Sequence, residues 1–171
     1  MGAMLISSWA HAGAANSFRE QYRVGPGDVV EIDVQDEEEF SVKAKVLSDG
    51  TINYPYIGEL KVGGLALSQL EQLLTAKLKA DYLVNPRVSV SISDFRKFYV
   101  NGEVGRSGEF SYAPGLTVRK AITLAGGFSD RANERGITVI RGDDSSQQQV
   151  PIGLDDPVFP DDLITVPEGF W

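Results

Sequence analysis

Apolar and polar residues alternate most cleanly at Val30, Ile32 and Val34, which are separated by Glu31 and Asp33. A period of two marks a half-buried strand and predicts one over Val29–Val34. Gly25, Pro26, Gly27 and Asp28 stand directly before it, a combination that makes a tight turn into the strand. Further strands are predicted at Lys43–Leu47, Thr51–Tyr54, Glu59–Val62 and Arg87–Ser93. In the last of these, Val88, Val90 and Ile92 alternate with Ser89, Ser91 and Ser93, so one face carries small hydroxyls. Between the fourth and fifth strands the period becomes helical. Leu70, Leu73, Leu74 and Leu78 fall on one side, and Ser68-Gln69-Leu70-Glu71 has the form of a capping box. The expected helix is Gln69–Lys79, its leucine stripe packed on its own sheet rather than offered to a partner helix.

A second set of elements begins after Phe95. Strands are predicted at Phe98–Val104, Glu109–Tyr112, Ile137–Arg141, Gln148–Ile152 and Leu163–Val166. A helix begins after the capping residue Thr117, carries Val118, Ala121, Ile122 and Leu124, and stops at Gly126 and Gly127. The pattern predicts an α+β chain of two modules, residues 22–94 and 95–169, each a small sheet with one helix across a face. Residues 1–17 lack periodicity. Met1-Gly2-Ala3 reads as a tag scar, and the small residues Ala10, Ala12 and Ala14 resemble the end of a secretory signal. Ala15–Gln21 is expected to add an edge strand to the second module.

Composition narrows the chemistry. Of 171 residues, 42% are hydrophobic, enough to build real cores, and 18 glycines with 8 prolines suit many short strands joined by turns. The net charge of −8 leaves no basic footprint for nucleic acid. Arg96-Lys97, between Phe95 and Phe98, reads as a solvated strand edge rather than a phosphate site. The acid run Asp36-Glu37-Glu38-Glu39 reads as a solvated loop rather than a calcium site. With no cysteine and one histidine, His11 in the signal-like stretch, no disulfide, thiolate metal site or serine–histidine–acid triad is expected. No phosphate loop occurs and no cofactor is expected. A pair of carboxylates would suffice for a glycosidase, but the 24 acids cluster on loops and strand edges, so no enzyme is expected. No apolar run is long enough for a membrane-spanning helix.

The turn at Gly25, Pro26, Gly27 and Asp28 gains weight from the motifs downstream of it and from their order. Asp49 and Gly50 come next, then Pro55 and Gly58 in Tyr54-Pro55-Tyr56-Ile57-Gly58, then Pro86. Gly102, Gly126 and Gly127, and finally Pro160 and Asp162 complete the set. From about Tyr22 to Pro167 this order resembles the bacterial outer-membrane polysaccharide export proteins. The resemblance implies a small mixed-sheet polysaccharide export domain followed by a β-grasp-like SLBB domain, each with one covering helix. The family usually has glycine where Asp161 stands, so the closing turn is expected to differ in shape.

The resemblance further implies a homo-oligomeric ring in the periplasm, associated with the outer membrane, that carries polysaccharide and works with an inner-membrane polysaccharide co-polymerase. Long members carry a lipidated cysteine near the start and a carboxy-terminal helix that builds the pore. This chain has no cysteine and stops at Gly169-Phe170-Trp171. A short periplasmic form relying on a separate outer-membrane pore protein is therefore expected, with a chain cut before the helix as the alternative. Glu37, Glu38, Glu39, Ser89 and Ser91 are the candidates for lining a glycan passage. A free-standing periplasmic glycan-binding module is the alternative function; it would stack sugars on aromatics drawn from Tyr54, Tyr56, Phe98, Tyr99, Phe110 and Tyr112, although alternating aromatics in short strands are more often core or cross-strand pairs.

Overall fold

The computed structural model describes residues 17–170, so the tag and signal-like stretch expected over the first residues lies outside the described part, apart from Ser17. The chain divides after Asp94 into two compact units.

In the first unit β1 (Val29–Val34) is the middle strand, flanked by β2 (Val42–Lys45) and β5 (Val88–Asp94). β3 (Thr51–Tyr54) and β4 (Gly58–Lys61) form a separate hairpin. All of these pairings are antiparallel, where a mixed sheet was expected. The loop from β1 to β2 is short, and a short connection between paired strands enforces the antiparallel direction. The α+β class is as expected.

α2 (Leu67–Asp81) packs on β5 through buried Leu67, Leu70, Leu74 and Leu78. Spacings of three and four keep these leucines in one stripe, and burying each contributes about 1.5–3 kcal/mol. Leu73, one position off the stripe, is half-buried. The helix starts two residues earlier than expected and its cap differs from the one expected at Ser68. Ala66 is the capping residue, and its N–H donates to Gln69 Oε1 at 2.9 Å.

Glu71 is engaged elsewhere. Its Oε1 accepts the Val90 N–H at 2.8 Å and pairs with Arg19, while Arg19 also donates to Val90 O at 3.1 Å. Val90 is the middle of edge strand β5, so one ion pair satisfies both its outward-facing backbone groups. Plugging an edge in this way prevents further strands from pairing there. Arg19 belongs to α1 (residues 17–21), a helical segment. The edge strand expected over Ala15–Gln21 is thus corrected: residues 17–21 are helical and tied to the first unit, and Ala15 and Asn16 lie outside the described residues.

The second unit is a five-stranded sheet ordered β7–β6–β10–β8–β9. Its strands are β6 (Phe98–Gly102), β7 (Gly108–Phe110), β8 (Thr138–Ile140), β9 (Val150–Pro151) and β10 (Leu163–Val166). β6 and β10 run parallel at the centre, and the outer pairs are antiparallel. α3 (Val118–Leu124) is capped by Thr117, as expected, and buries Val118, Ala121 and Ile122. Leu124, expected on that face, is 51% exposed, and Ala125 is buried instead. Residues 118, 121, 122 and 125 keep helical spacing, whereas position 124 points well away from them. A single helix with a sheet whose central pair is parallel agrees with the β-grasp expectation.

Candidate functional site

The glycines, prolines and aspartates of the ordered motif set hold turns. Asp28 is fully buried, and its Oδ2 accepts the Tyr22 hydroxyl at 2.8 Å and the Gly25 N–H at 2.9 Å. One carboxylate thereby closes the whole Tyr22–Asp28 turn, with Gly27 at φ 98° inside it. Asp49 accepts both the N–H and the hydroxyl of Thr51, at 3.0 and 2.7 Å, which holds its carboxyl below the usual carboxylate range. Gly50 O takes the N–H groups of Val62 and Gly63, tying this turn to the far end of β4. Pro55 and Gly58 shape the β3–β4 turn, and Pro86 lies in the loop leading to β5.

In the second unit Gly102 lies where β6 meets β10, and Gly126 with Gly127 ends α3 in left-handed conformations. The Gly127 N–H returns to Ile122 O at 2.9 Å, closing the helix end. Pro160 precedes Asp161, which itself adopts the left-handed conformation at φ 66°. Glycine would take this conformation without strain, and aspartate is one of the few other residues that tolerate it. Asp162 is buried and accepts from Arg141 at 2.6 Å and from the Phe159 N–H at 2.8 Å. Burial pushes its carboxyl up, opposed by these donors.

The lining candidates do not gather into one cluster. Ser89 and Ser91 are exposed on β5, opposite Asp33 and Glu31 of β1, so hydroxyls and carboxylates share one wet sheet face. The acids lie beyond the end of β1. Glu38 and Glu39 are exposed, Glu37 is half-buried, and Glu39 accepts from the Tyr56 hydroxyl at 3.1 Å. Arg96 and Lys97 are paired with Asp161 and Glu109, in keeping with a strand edge. Among the described residues, no group of three or more histidine, cysteine or acidic side chains is placed to hold a metal.

Four of the six aromatic candidates are core residues: Tyr54, Phe98, Phe110 and Tyr112. Only Tyr56 and Tyr99 offer exposed rings. Tyr54 donates to Phe40 O at 2.6 Å. Burial pushes its phenol up to about 12, and burial together with the charge of Asp162 does the same for Tyr112. A raised folded-state pKa means stability that is complete below the ordinary value of 10 and is lost as pH climbs towards 12. The phenolate absorbance of both, read against Tyr54→Phe and Tyr112→Phe variants, is expected to develop late and with unfolding. Ionisation near pH 10 in the folded protein would contradict it.

Residues 16–93 match the family described as polysaccharide biosynthesis/export protein, and residues 97–151 match the SLBB domain. The chain belongs to the polysaccharide export protein family. Curated relatives agree. It is 29% identical over 136 residues to the exopolysaccharide production protein ExoF of Rhizobium meliloti, covering 72% of this chain and 32% of that one. It is 31% identical over 145 residues to the polysialic acid transport protein KpsD of Escherichia coli, covering 82% and 26%. The EPS I polysaccharide export outer membrane protein EpsA of Ralstonia solanacearum is 28% identical over 149 residues, covering 71% and 39%. The chain therefore spans between about a quarter and two fifths of the length of these relatives.

In this export-family chain the motif residues hold turns, and exposed aromatics lie at other positions. Tyr82 is one that sequence pattern alone does not single out. It comes directly after α2, is 44% exposed, and stands beside Tyr56 with ring centroids 6.1 Å apart. Its signal is an aromatic just beyond the last buried leucine of the helix, where a core residue is no longer needed. Arg19 and Glu71 escape the pattern as well, because a helix side chain bonding an edge strand leaves no local trace.

Proposed function

We propose that this chain is a non-enzymatic component of a machine exporting capsular or exopolysaccharide, located in the periplasm and associated with the outer membrane. Copies of it form a ring that shapes or lines a passage for the glycan. The ordered match of both units to export-protein families, over residues 16–93 and 97–151, is the observation that carries this reading. Relatives named for exopolysaccharide production, polysialic acid transport and polysaccharide export support it. The partners are the polysaccharide, further copies of the chain and an inner-membrane co-polymerase.

A passage must let a long chain slide without sticking. Ser89 and Ser91, standing with Asp33 and with Glu31, which is paired to Lys43, offer hydration but no desolvated anchor, and Glu37, Glu38 and Glu39 add negative charge nearby in the sequence. Such charge repels an anionic glycan over roughly 8 Å at physiological salt. Deleting the gene should abolish surface polysaccharide and wild-type protein should restore it; unaffected polysaccharide would end the export reading. In the complemented strain, changing Glu37, Glu38 and Glu39 together to lysine should slow secretion of an anionic polysaccharide. Normal secretion, with the variant folded and abundant, would remove the lining role. Purified protein should release no reducing ends from glycans, and turnover abolished by one carboxylate change would revive the glycosidase reading.

The exposed rings of Tyr56 and Tyr99 favour the second reading, a free-standing glycan-binding module. Native mass spectrometry separates the two, since the export reading requires a ring or stack and the module does not.

A further inference from the structure

Phe40, Tyr56 and Tyr82 form an aromatic cluster where the β3–β4 turn meets the residue after α2. Phe40 is buried beneath, its ring 4.9 Å from Tyr56 and 6.1 Å from Tyr82. Above it Tyr56 is 60% exposed. An exposed tyrosine usually loses entropy on binding, but these two are already held at their hydroxyls. Tyr56 donates to Glu39 Oε2 at 3.1 Å, and Tyr82 donates to the Tyr56 carbonyl at 3.0 Å. The hydrogen bond to Glu39 and its charge raise the Tyr56 pKa, keeping that hydroxyl a donor.

Tyr56 also has the wrong backbone for its side chain. Its φ is +63°, and the Ile57 N–H donates across it to Pro55 O at 2.7 Å, a three-residue turn with a positive centre. That turn is rare and strained for any residue with a bulky side chain. Glycine would occupy it freely, so the fold alone does not call for an aromatic ring there. Beside the cluster a groove of about 470 Å³ runs between Ile57 and the outer side of α2, lined by Leu73, Lys77, Asp81 and Tyr82.

We propose that Tyr56, Tyr82 and Glu39 form a stacking site for an uncharged pyranose of the exported polysaccharide, with Lys77 and Asp81 meeting the next sugar along the groove. The site takes its ligand from the export reading; the stacking chemistry stands on the residues. A pyranose has an apolar C–H face and a rim of hydroxyls, which suits a fixed aromatic face edged by a carboxylate acceptor. Glu39 accepts the Tyr56 hydroxyl, and Lys77 and Asp81 line the groove with Tyr82, whereas the core of a protein interface is depleted of charge. The adjacent Glu37 and Glu38 disfavour an anionic sugar.

The test titrates the full chain with cellohexaose, maltohexaose and a sialic acid hexamer, followed by calorimetry and amide NMR shifts. An uncharged hexamer is expected to bind, shifting residues 56, 57, 77 and 82, and Tyr56→Gly should weaken it about tenfold while keeping or raising the thermal midpoint. Tyr82→Ala should weaken it similarly if Tyr56→Gly fails to fold. Absence of binding by either neutral hexamer, binding of the sialic acid hexamer alone, or full affinity in both folded variants would overturn the site. So would a concentration-dependent self-association, lost in Tyr56→Gly, with no glycan shift at these residues. Secretion in the deletion strain reports on the export reading independently, so either can fail while the other stands.

Discussion

Replacing Leu74 with alanine is expected to cost about 2–5 kcal/mol and to lower the unfolding midpoint of the first unit sharply. Leu74 is fully buried in the stripe of Leu67, Leu70 and Leu78 that packs α2 on β5. Truncation removes the transfer free energy of the side chain and leaves a cavity that α2 cannot close without moving its neighbours. Domain stabilities are typically about 5–15 kcal/mol, so this single change removes a large share. Leu73→Ala is the control: it sits on the same helix but is half-buried, so it should cost clearly less. Urea denaturation monitored by the helical circular dichroism signal measures both. Equal costs would mean that the stripe does not organise this unit.

Gly102→Ala should be comparably damaging in the second unit. At φ +93° a Cβ on residue 102 would lie 2.0 Å from Val166 O and 3.0 Å from its carbonyl carbon. Both obstacles are backbone, so no side chain can rotate out of the way. That carbonyl also accepts the Glu103 N–H at 2.9 Å at the end of the parallel β6–β10 pair. Overpacking of about 1–3 kcal/mol adds to about 1–2 kcal/mol for the left-handed backbone, giving a loss of about 2–5 kcal/mol. Gly127→Ala separates the two contributions. Its φ is +84°, but a Cβ there would meet nothing within 4 Å, so only the backbone part remains. Similar losses for the two variants would show that β10 yields to the methyl group. Faster hydrogen exchange at Glu103 and along β10 in Gly102→Ala would locate the damage.

These two sites differ in how readable they are. The stripe around Leu74 announces itself through spacing, because helix periodicity is a local property of the chain. At Gly102 the sequence shows only a glycine in an ordered set. What makes a side chain intolerable there is a carbonyl 64 residues away in the chain, brought close by the parallel pairing of β6 with β10. The same distinction runs through the candidate site. Alternation in short strands favours a core place for the candidate aromatics, and the sheets bury Tyr54, Phe98, Phe110 and Tyr112, but it does not single out Tyr56 and Tyr99 as the exposed two.

By itself the sequence determined the alternating strands, the two apolar-faced helices, the α+β class and the order of turn residues that marks the family. Each of these rests on periods of two or 3.6, or on turns of a few residues, and such interactions close within a short stretch of chain. Tertiary structure alone decided which long-range partner each polar side chain took. Glu71 left the expected capping box because the edge of β5 offered it a backbone donor, and residues 17–21 became a helix whose Arg19 completes that plug. Leu124 lost its place in the core to Ala125 because the helix phase around Val118 and Ile122 turns it outward. Tyr56, Tyr82 and Glu39 became neighbours only when the β3–β4 turn came up against the end of α2. Contacts between residues far apart in the chain depend on how elements pack, and packing is decided by whole faces rather than by local pattern.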